Sequence, residues 1–322
     1  MSTALCSRHL VKLSFLGPTS SGHVARYLEL LEARHYAPNT LISITDAIRR
    51  FTINLPEARR ALVTQHLAQA TAHDVDLFVA AVSRKGLSPS TINTTLSLIK
   101  EFFDYLREEG ETHIQPVIRR RHRVFAPSNL PKPMAEADLV AFFKAIDSIR
   151  DRALFLLMLR GGLRVSEVST LTWDDVDFEA GTLRIKDSKG QVDRIGFLAP
   201  DATKSLKLWH TRRASQTSLF PGQETRRTQA AVTLSTRHIY RLMIMYLRQA
   251  GVTAHYSPHC LRHTFATQLL NAGVTLEVLK ELMGHRSIQM TLCYAELYDS
   301  TKRQQYDAAM ERIEQRQAVV GR

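Results

Sequence analysis

Between residues 116 and 133 the chain carries Pro116, Pro127, Pro131 and Pro133, with Arg119, Arg120, Arg121 and Arg123 packed among them. No long helix or central strand runs through such a segment, because each proline removes a backbone donor and biases the residue before it away from helix. A proline-rich segment is extended, so it splits the 322 residues into two stretches, each long enough to enclose its own core. Being basic, this linker can also track a phosphate backbone. The plainer alternative is a solvated run of charge.

The first stretch, residues 21–115, has helical periodicity. Val24, Tyr27, Leu28, Leu31 and Tyr36 recur at helix-like spacing, and after a turn at Pro38 and Asn39 so do Leu41, Ile44, Ile48 and Phe51. A third helix stops at Gly86. A fourth opens at Ser88-Pro89, with serine as N-cap and proline in the first turn, carries Ile92, Leu96, Ile99, Phe103 and Leu106, and ends near Gly110. The second stretch, residues 134–295, also begins with helices. Its period then changes. From Val176 to Leu198 the pattern alternates in short runs broken at Ala180-Gly181 and Lys189-Gly190, as in a small antiparallel sheet with tight turns. Helices then resume. The expected fold is mainly α, with one small antiparallel β-sheet in the second domain. Residues 1–20 and 296–322 are left as tails, the latter with a short amphipathic face of Tyr306, Met310 and Ile313.

Lys plus Arg number 43 against 31 for Asp plus Glu, a formal charge of +12. Such a surface attracts polyanions, either nucleic acid or an anionic membrane. No apolar run approaches the ~18 residues needed to span a bilayer. The short apolar stretch from Leu10 to Leu16 is punctuated by basic residues and followed by no convincing signal-peptide cleavage site. Cys6, Cys260 and Cys293 are odd in number and far apart, which suits a reducing compartment. A cytoplasmic protein without a membrane role is expected.

Four short segments carry candidate chemistry: Gly161 to Glu167 around Arg164, the turn Ser188-Lys189-Gly190, His259-Cys260-Leu261-Arg262-His263, and Gly284-His285 through Tyr294. Each alone has an ordinary structural explanation. His259 and His263, four apart on a helix, could share a metal, but the glutamate of a zinc-protease motif is missing and Arg262 would sit beside the cation. Together the segments offer two arginines, histidines and a lysine, a donor set suited to an oxyanion, since the arginine fork matches phosphate geometry. A tyrosine nucleophile ionises only with a pKa near 10, which costs about 4 kcal/mol at neutral pH unless a base or cations help. No cofactor is called for by this set.

These segments, in this order and at this spacing, resemble the tyrosine recombinase (phage integrase) family, of which phage integrases, the Xer resolvases and the Cre and Flp recombinases are typical. The resemblance runs from about residue 21 to 295, with Met283-Gly284-His285 where the family more often has Leu-Gly-His. It implies a helical core-binding domain at 21–115 that grips DNA opposite a catalytic domain at 134–295. It implies that Arg164 and Arg262 clamp the scissile phosphate and that Lys189, on the β-hairpin, is the general acid toward the 5′-oxygen. His259 would assist proton transfer from Tyr294, His285 would hydrogen-bond a phosphate oxygen, and Tyr294 would attack to form a 3′-phosphotyrosine bond. Glu167 and His263 would be structural. The implied reaction needs neither metal nor ATP, and passes through a Holliday junction in a tetramer on two double-stranded DNA sites, with accessory DNA-bending or directionality proteins as further partners. Residues 296–322 would pack on a neighbouring subunit.

Two points stay open from sequence. Lys186 lies on the same hairpin as Lys189, and a one-residue slip in register changes which lysine faces inward. A type IB topoisomerase would share the chemistry without joining partners, and a catalytically silent DNA-binding protein would share the fold.

Overall fold

The computed structural model describes residues 13–126, 131–186, 193–213, 217–222, 233–285 and 287–294, with 306, 307, 310, 311, 313 and 314. The chain forms two compact units, which divide between Ser128 and Asn129.

The first unit is helical: α1 (Pro18–Ala33), α2 (Pro38–Ile53), α3 (Glu57–Gln65), α4 (Ala72–Arg84), α5 (Pro89–Glu108) and the single turn α6 (Arg119–His122). Both expected proline starts are present, and Ser88 Oγ caps α5 by accepting from the Thr91 amide at 3.2 Å. The apolar stripes meet in one core, where the Tyr27 ring stacks on Tyr105 at 4.8 Å and Phe51 meets Phe78 edge-on at 5.6 Å. Asp74 is fully buried yet satisfied, since both its oxygens accept from the Arg59 fork at 2.6 Å and its Oδ2 also caps Thr71. A buried carboxylate needs such pairing.

The linker departs from expectation. Its first half, through Val124, folds back onto the first unit and is not an extended spacer. Val117 is buried in the first core, Arg121 pairs with Asp76, and Asn93 clamps the Val124 backbone through both its amide atoms at 2.8 and 3.0 Å. One arginine of the run, Arg121, thus has a carboxylate partner on α4, a long-range contact that proline and charge content do not report.

The second unit contains α7 (Glu136–Ala145), α8 (Ile149–Gly161), α9 (Val165–Thr170), β1 (Val176–Asp177), β2 (Thr182–Ile185), β3 (Arg194–Phe197), α10 (Pro200–Arg213), α11 (Thr236–Gln249), α12 (Pro258–Asn271), α13 (Leu276–Met283) and α14 (Gln289–Leu292). Buried on every side from Ala153 to Leu159, α8 is the central helix, flanked by α10 and α12. The strands form an antiparallel sheet in the order β1-β2-β3, with Val176 opposite Leu183 and Ile185 opposite Arg194. Leu183 and Ile185 face the core. Gly181, at φ +65°, makes the first turn, and the second, with Lys189, lies outside the described residues. So does most of the C-terminal segment, in which Tyr306 and Ile313 are exposed. Among the described residues no helix is long and apolar enough to cross a membrane.

Candidate active site

The backbone that positions Arg164 follows from its neighbours. Gly162 ends α8 in the left-handed region at φ +59°, Leu163 is buried as an anchor, and Arg164 becomes the N-cap of α9. Glu167, three residues on, turns back to accept from the Arg164 amide and from its guanidinium, each at 2.7 Å. This closes the first turn and fixes the arginine. On α12, Arg262 is buried, 4% exposed, and donates to the carbonyls of Gly162 and Met283.

The last carbonyls of a helix have no partner within it. At the end of α13 three consecutive ones are met by three different arginines. Leu282 O accepts from Arg194 Nε at 3.2 Å, Met283 O from Arg262, and Gly284 O from Arg164 Nη2 at 3.2 Å. Cations also suit the negative end of the helix dipole. Gly284 has φ +61°, and a Cβ there would come within 2.9 Å of Arg194 Cδ, so the turn before His285 admits only glycine without rearrangement.

Arg194 is a site residue that motif reasoning missed. Its fork binds both Glu167 oxygens, at 2.8 and 2.9 Å. Burial pushes the Glu167 carboxyl up, but the two arginines prevail and hold it at about 2. Two arginines on one carboxylate, with Arg262 on the neighbouring Met283 carbonyl, leave a net positive site. The sequence pattern points the other way, since alternation would turn Ile195 and Phe197 inward; the strand instead buries Gly196 and exposes both apolar residues, so Arg194 shares the inward face and requires a partner there. Burial and Arg164 lower Arg262 to about 9, still a cation at neutral pH.

His285 is held by Thr291, with Nδ1 and the hydroxyl 2.9 Å apart. Burial, then Arg262, Arg164 and Arg194, depress its imidazole to about 4, so it is neutral at physiological pH. His259 lies in the first turn of α12 and is exposed; desolvation by its surroundings, with Arg262 and Arg164, keeps it below the usual imidazole range. Tyr294 is 3% exposed, packed with Phe265, Leu279 and Met283. Its hydroxyl lies 2.7 Å from Nδ1 of His263, so His263 has a partner in the site that motif spacing does not reveal. Burial and then Cys293 push the phenol up to about 12, against the pull of Arg262 and Arg164.

Of the six residues singled out from sequence, Arg164 and Arg262 meet at the α13 terminus, His285 follows that terminus directly, and Tyr294 and His259 lie within the field of the same arginines. Lys189 lies outside the described residues. Its rival Lys186 is 2.7 Å from Asp175 and exposed by half. Although burial pushes the Asp175 carboxyl up, Lys186 and Thr172 hold it below the ordinary range. Among the described residues no group of three His, Cys, Asp or Glu side chains is arranged to hold a metal ion.

The Phage integrase family matches residues 132–301, and the Phage integrase, N-terminal SAM-like domain matches residues 24–110. The tyrosine recombinase XerC of Xanthomonas campestris pv. campestris (strain B100) is 31% identical over 281 residues, which are 85% of this chain and 84% of that protein. The tyrosine recombinase XerA of Pyrococcus furiosus is 33% identical over 228 residues, 70% of this chain and 76% of the relative. Among solved structures, a lambda integrase dimer bound to a COC′ core site superposes with a TM-score of 0.66 at 19% identity, covering 85% of this chain and 94% of that one. The Tn1549 transposon integrase in complex with transposon right end DNA gives 0.64 at 19% identity, covering 84% and 94%. The chain belongs to the phage integrase family and is a tyrosine site-specific recombinase.

Proposed function

We propose that the protein cuts and rejoins double-stranded DNA at specific sites through a covalent bond between Tyr294 and a 3′-phosphate. The observation that carries this reading is the convergence of Arg164 and Arg262 on adjacent carbonyls of one helix end, immediately before His285. Two guanidiniums fixed this way are aimed without further ordering, which is the arrangement that stabilises charge developing on a phosphoryl oxygen. Tyr294 attacks phosphorus, the 5′-oxygen leaves with a proton from Lys189, and a 5′-hydroxyl is freed. The phosphotyrosine bond keeps the energy of the phosphodiester, so attack by the 5′-hydroxyl of a partner strand rejoins DNA without ATP, and the arginines stand in for a metal.

A phenol held at about 12 costs on the order of 7 kcal/mol to ionise at neutral pH. Its hydroxyl must therefore lose its proton as it bonds to phosphorus, with His259 or His263 as the proton acceptor. Strand exchange proceeds through a Holliday junction in a tetramer. One solved neighbour, a lambda integrase tetramer bound to a Holliday junction, has a TM-score of 0.65 and supports this reading.

The test is covalent trapping in EDTA. A randomised library of nicked duplexes is incubated with the protein and resolved under denaturing conditions. The expected result is a protein–DNA adduct with wild type and none with Tyr294→Phe. An adduct that persists in the phenylalanine variant would refute the assignment of the nucleophile, and absence of any adduct would refute strand cleavage.

A further inference from the structure

The role of Arg194 follows from a charge balance at the site. Glu167 is buried, with both oxygens engaged, and Arg164 is one of its partners. Were Arg164 the only cation on Glu167, carboxylate and guanidinium would cancel, and a candidate phosphate clamp would present little net charge. The geometry prevents this. Arg194 binds Glu167 bidentately, the stronger arrangement for an arginine–carboxylate pair, whereas Arg164 reaches only one oxygen with its guanidinium. Arg194 also faces inward, with 13% of its side chain exposed against 27% for Arg164. Its Nε and both Nη atoms are committed to protein acceptors, so it is badly placed to bind phosphate itself.

We propose that Arg194 is a positioning residue that offsets the charge of Glu167 and so leaves Arg164 its positive charge for the scissile phosphate. Glu167 can then shape the turn that holds Arg164 without weakening it. Through Leu282 O and the close approach to Gly284, Arg194 also fixes the helix end from which His285 departs. It opens β3, which pairs with β2, so the same side chain ties the sheet to the arginine pair.

The inference rests on the strand-cleavage reading, and its test keeps the two apart. A nicked duplex is first recovered by covalent capture from the randomised library with wild type; failure at that step counts against strand cleavage alone. On the captured duplex, Arg194→Met should slow adduct formation about ten- to hundredfold, below the roughly hundred- to thousandfold of losing a preorganised donor that touches the reacting oxygen itself. The loss should shrink to a few-fold on a duplex with a methylphosphonate at the scissile position, because an uncharged phosphate does not need the restored charge. A purely structural role would give the same loss on both. If Arg194→Met does not fold, the comparison is Glu167→Gln against Glu167→Gln/Arg194→Met. With the carboxylate neutral, adding the methionine should change the rate less than about threefold if the role is electrostatic, since no offsetting charge is then required. Equal losses on phosphate and methylphosphonate, or a tenfold further loss in the double variant, would overturn the proposal.

Discussion

Replacing Gly162 by alanine separates backbone strain from packing at the residue that launches the site. Gly162 has φ +59°, and an ideal Cβ would lie 2.4 and 2.5 Å from Cδ1 and Cε1 of Phe265. Gly251 offers the control: φ is +70° and a Cβ there meets nothing within 4 Å. Both alanine variants share the cost of a left-handed L-residue, about 1–2 kcal/mol. Both recover about 0.4–1 kcal/mol because alanine narrows the unfolded ensemble. Gly251→Ala should therefore cost about 1 kcal/mol or less. Gly162→Ala must in addition displace an aromatic ring that is 8% exposed and packed in the cluster around Tyr294, an overpacking term of about 1–3 kcal/mol. Its total is about 2–4 kcal/mol. The assay is urea unfolding followed by tryptophan fluorescence. The sequence has two tryptophans, Trp173 and Trp209, and both lie in the second unit, so the signal reports the unit that changes. With a slope of about 2 kcal/mol per molar, the midpoint should fall by about 1–2 M for Gly162→Ala and by about 0.5 M or less for Gly251→Ala. Equal shifts at unchanged slope would refute the packing argument.

Three further outcomes are expected. Lys186→Met, which removes only a pairing with Asp175, should slow adduct formation less than about threefold, and Lys189→Met should slow it about 10²-fold or more, the scale of a lost general acid; the reverse order in single-turnover trapping would move the acid to Lys186. Thr291→Val keeps the shape of a fully buried side chain but removes the hydroxyl on His285, and the loss of one hydrogen bond, about 1 kcal/mol, predicts a roughly fivefold slower cleavage at unchanged DNA affinity. His285 is depressed to about 4 from an unfolded value near 6.5, so between those limits the unfolded chain binds more protons and stability declines as pH falls. Urea unfolding should therefore show about 2 kcal/mol more loss between pH 7 and pH 5 in wild type than in His285→Gln; parallel losses would mean that His285 is not buried neutral.

What was legible in the sequence was whatever a short window determines. Ser88-Pro89 announces a helix start because cap and proline act within one turn, and the change of period between Val176 and Leu198 announces a sheet because side chains alternate along a strand. The helix stop at Gly162, the N-cap at Arg164 and the carboxylate at Glu167 also fall within six residues, but their local roles emerge only from the fold. What was not legible is the choice of partner across the fold. The arginine run at 119–123 reads as a free basic tether until Asp76, on another helix, claims Arg121. His263 reads as structural until Tyr294, 31 residues away, is found on its ring nitrogen.

Arg194 is the sharper case. Hydrophobic alternation in Arg194-Ile195-Gly196-Phe197 would turn Ile195 and Phe197 inward and leave Arg194 in solvent, but the strand faces the other way, and an arginine on its inner face needs an anionic partner. That partner is Glu167, the carboxylate one turn after Arg164. The facing of this short strand is thus set by a long-range pairing and not by its own pattern of apolar residues. The energetic demand of the buried Glu167 carboxylate, which must be matched by cations, explains why an arginine and not Ile195 or Phe197 occupies the inner face.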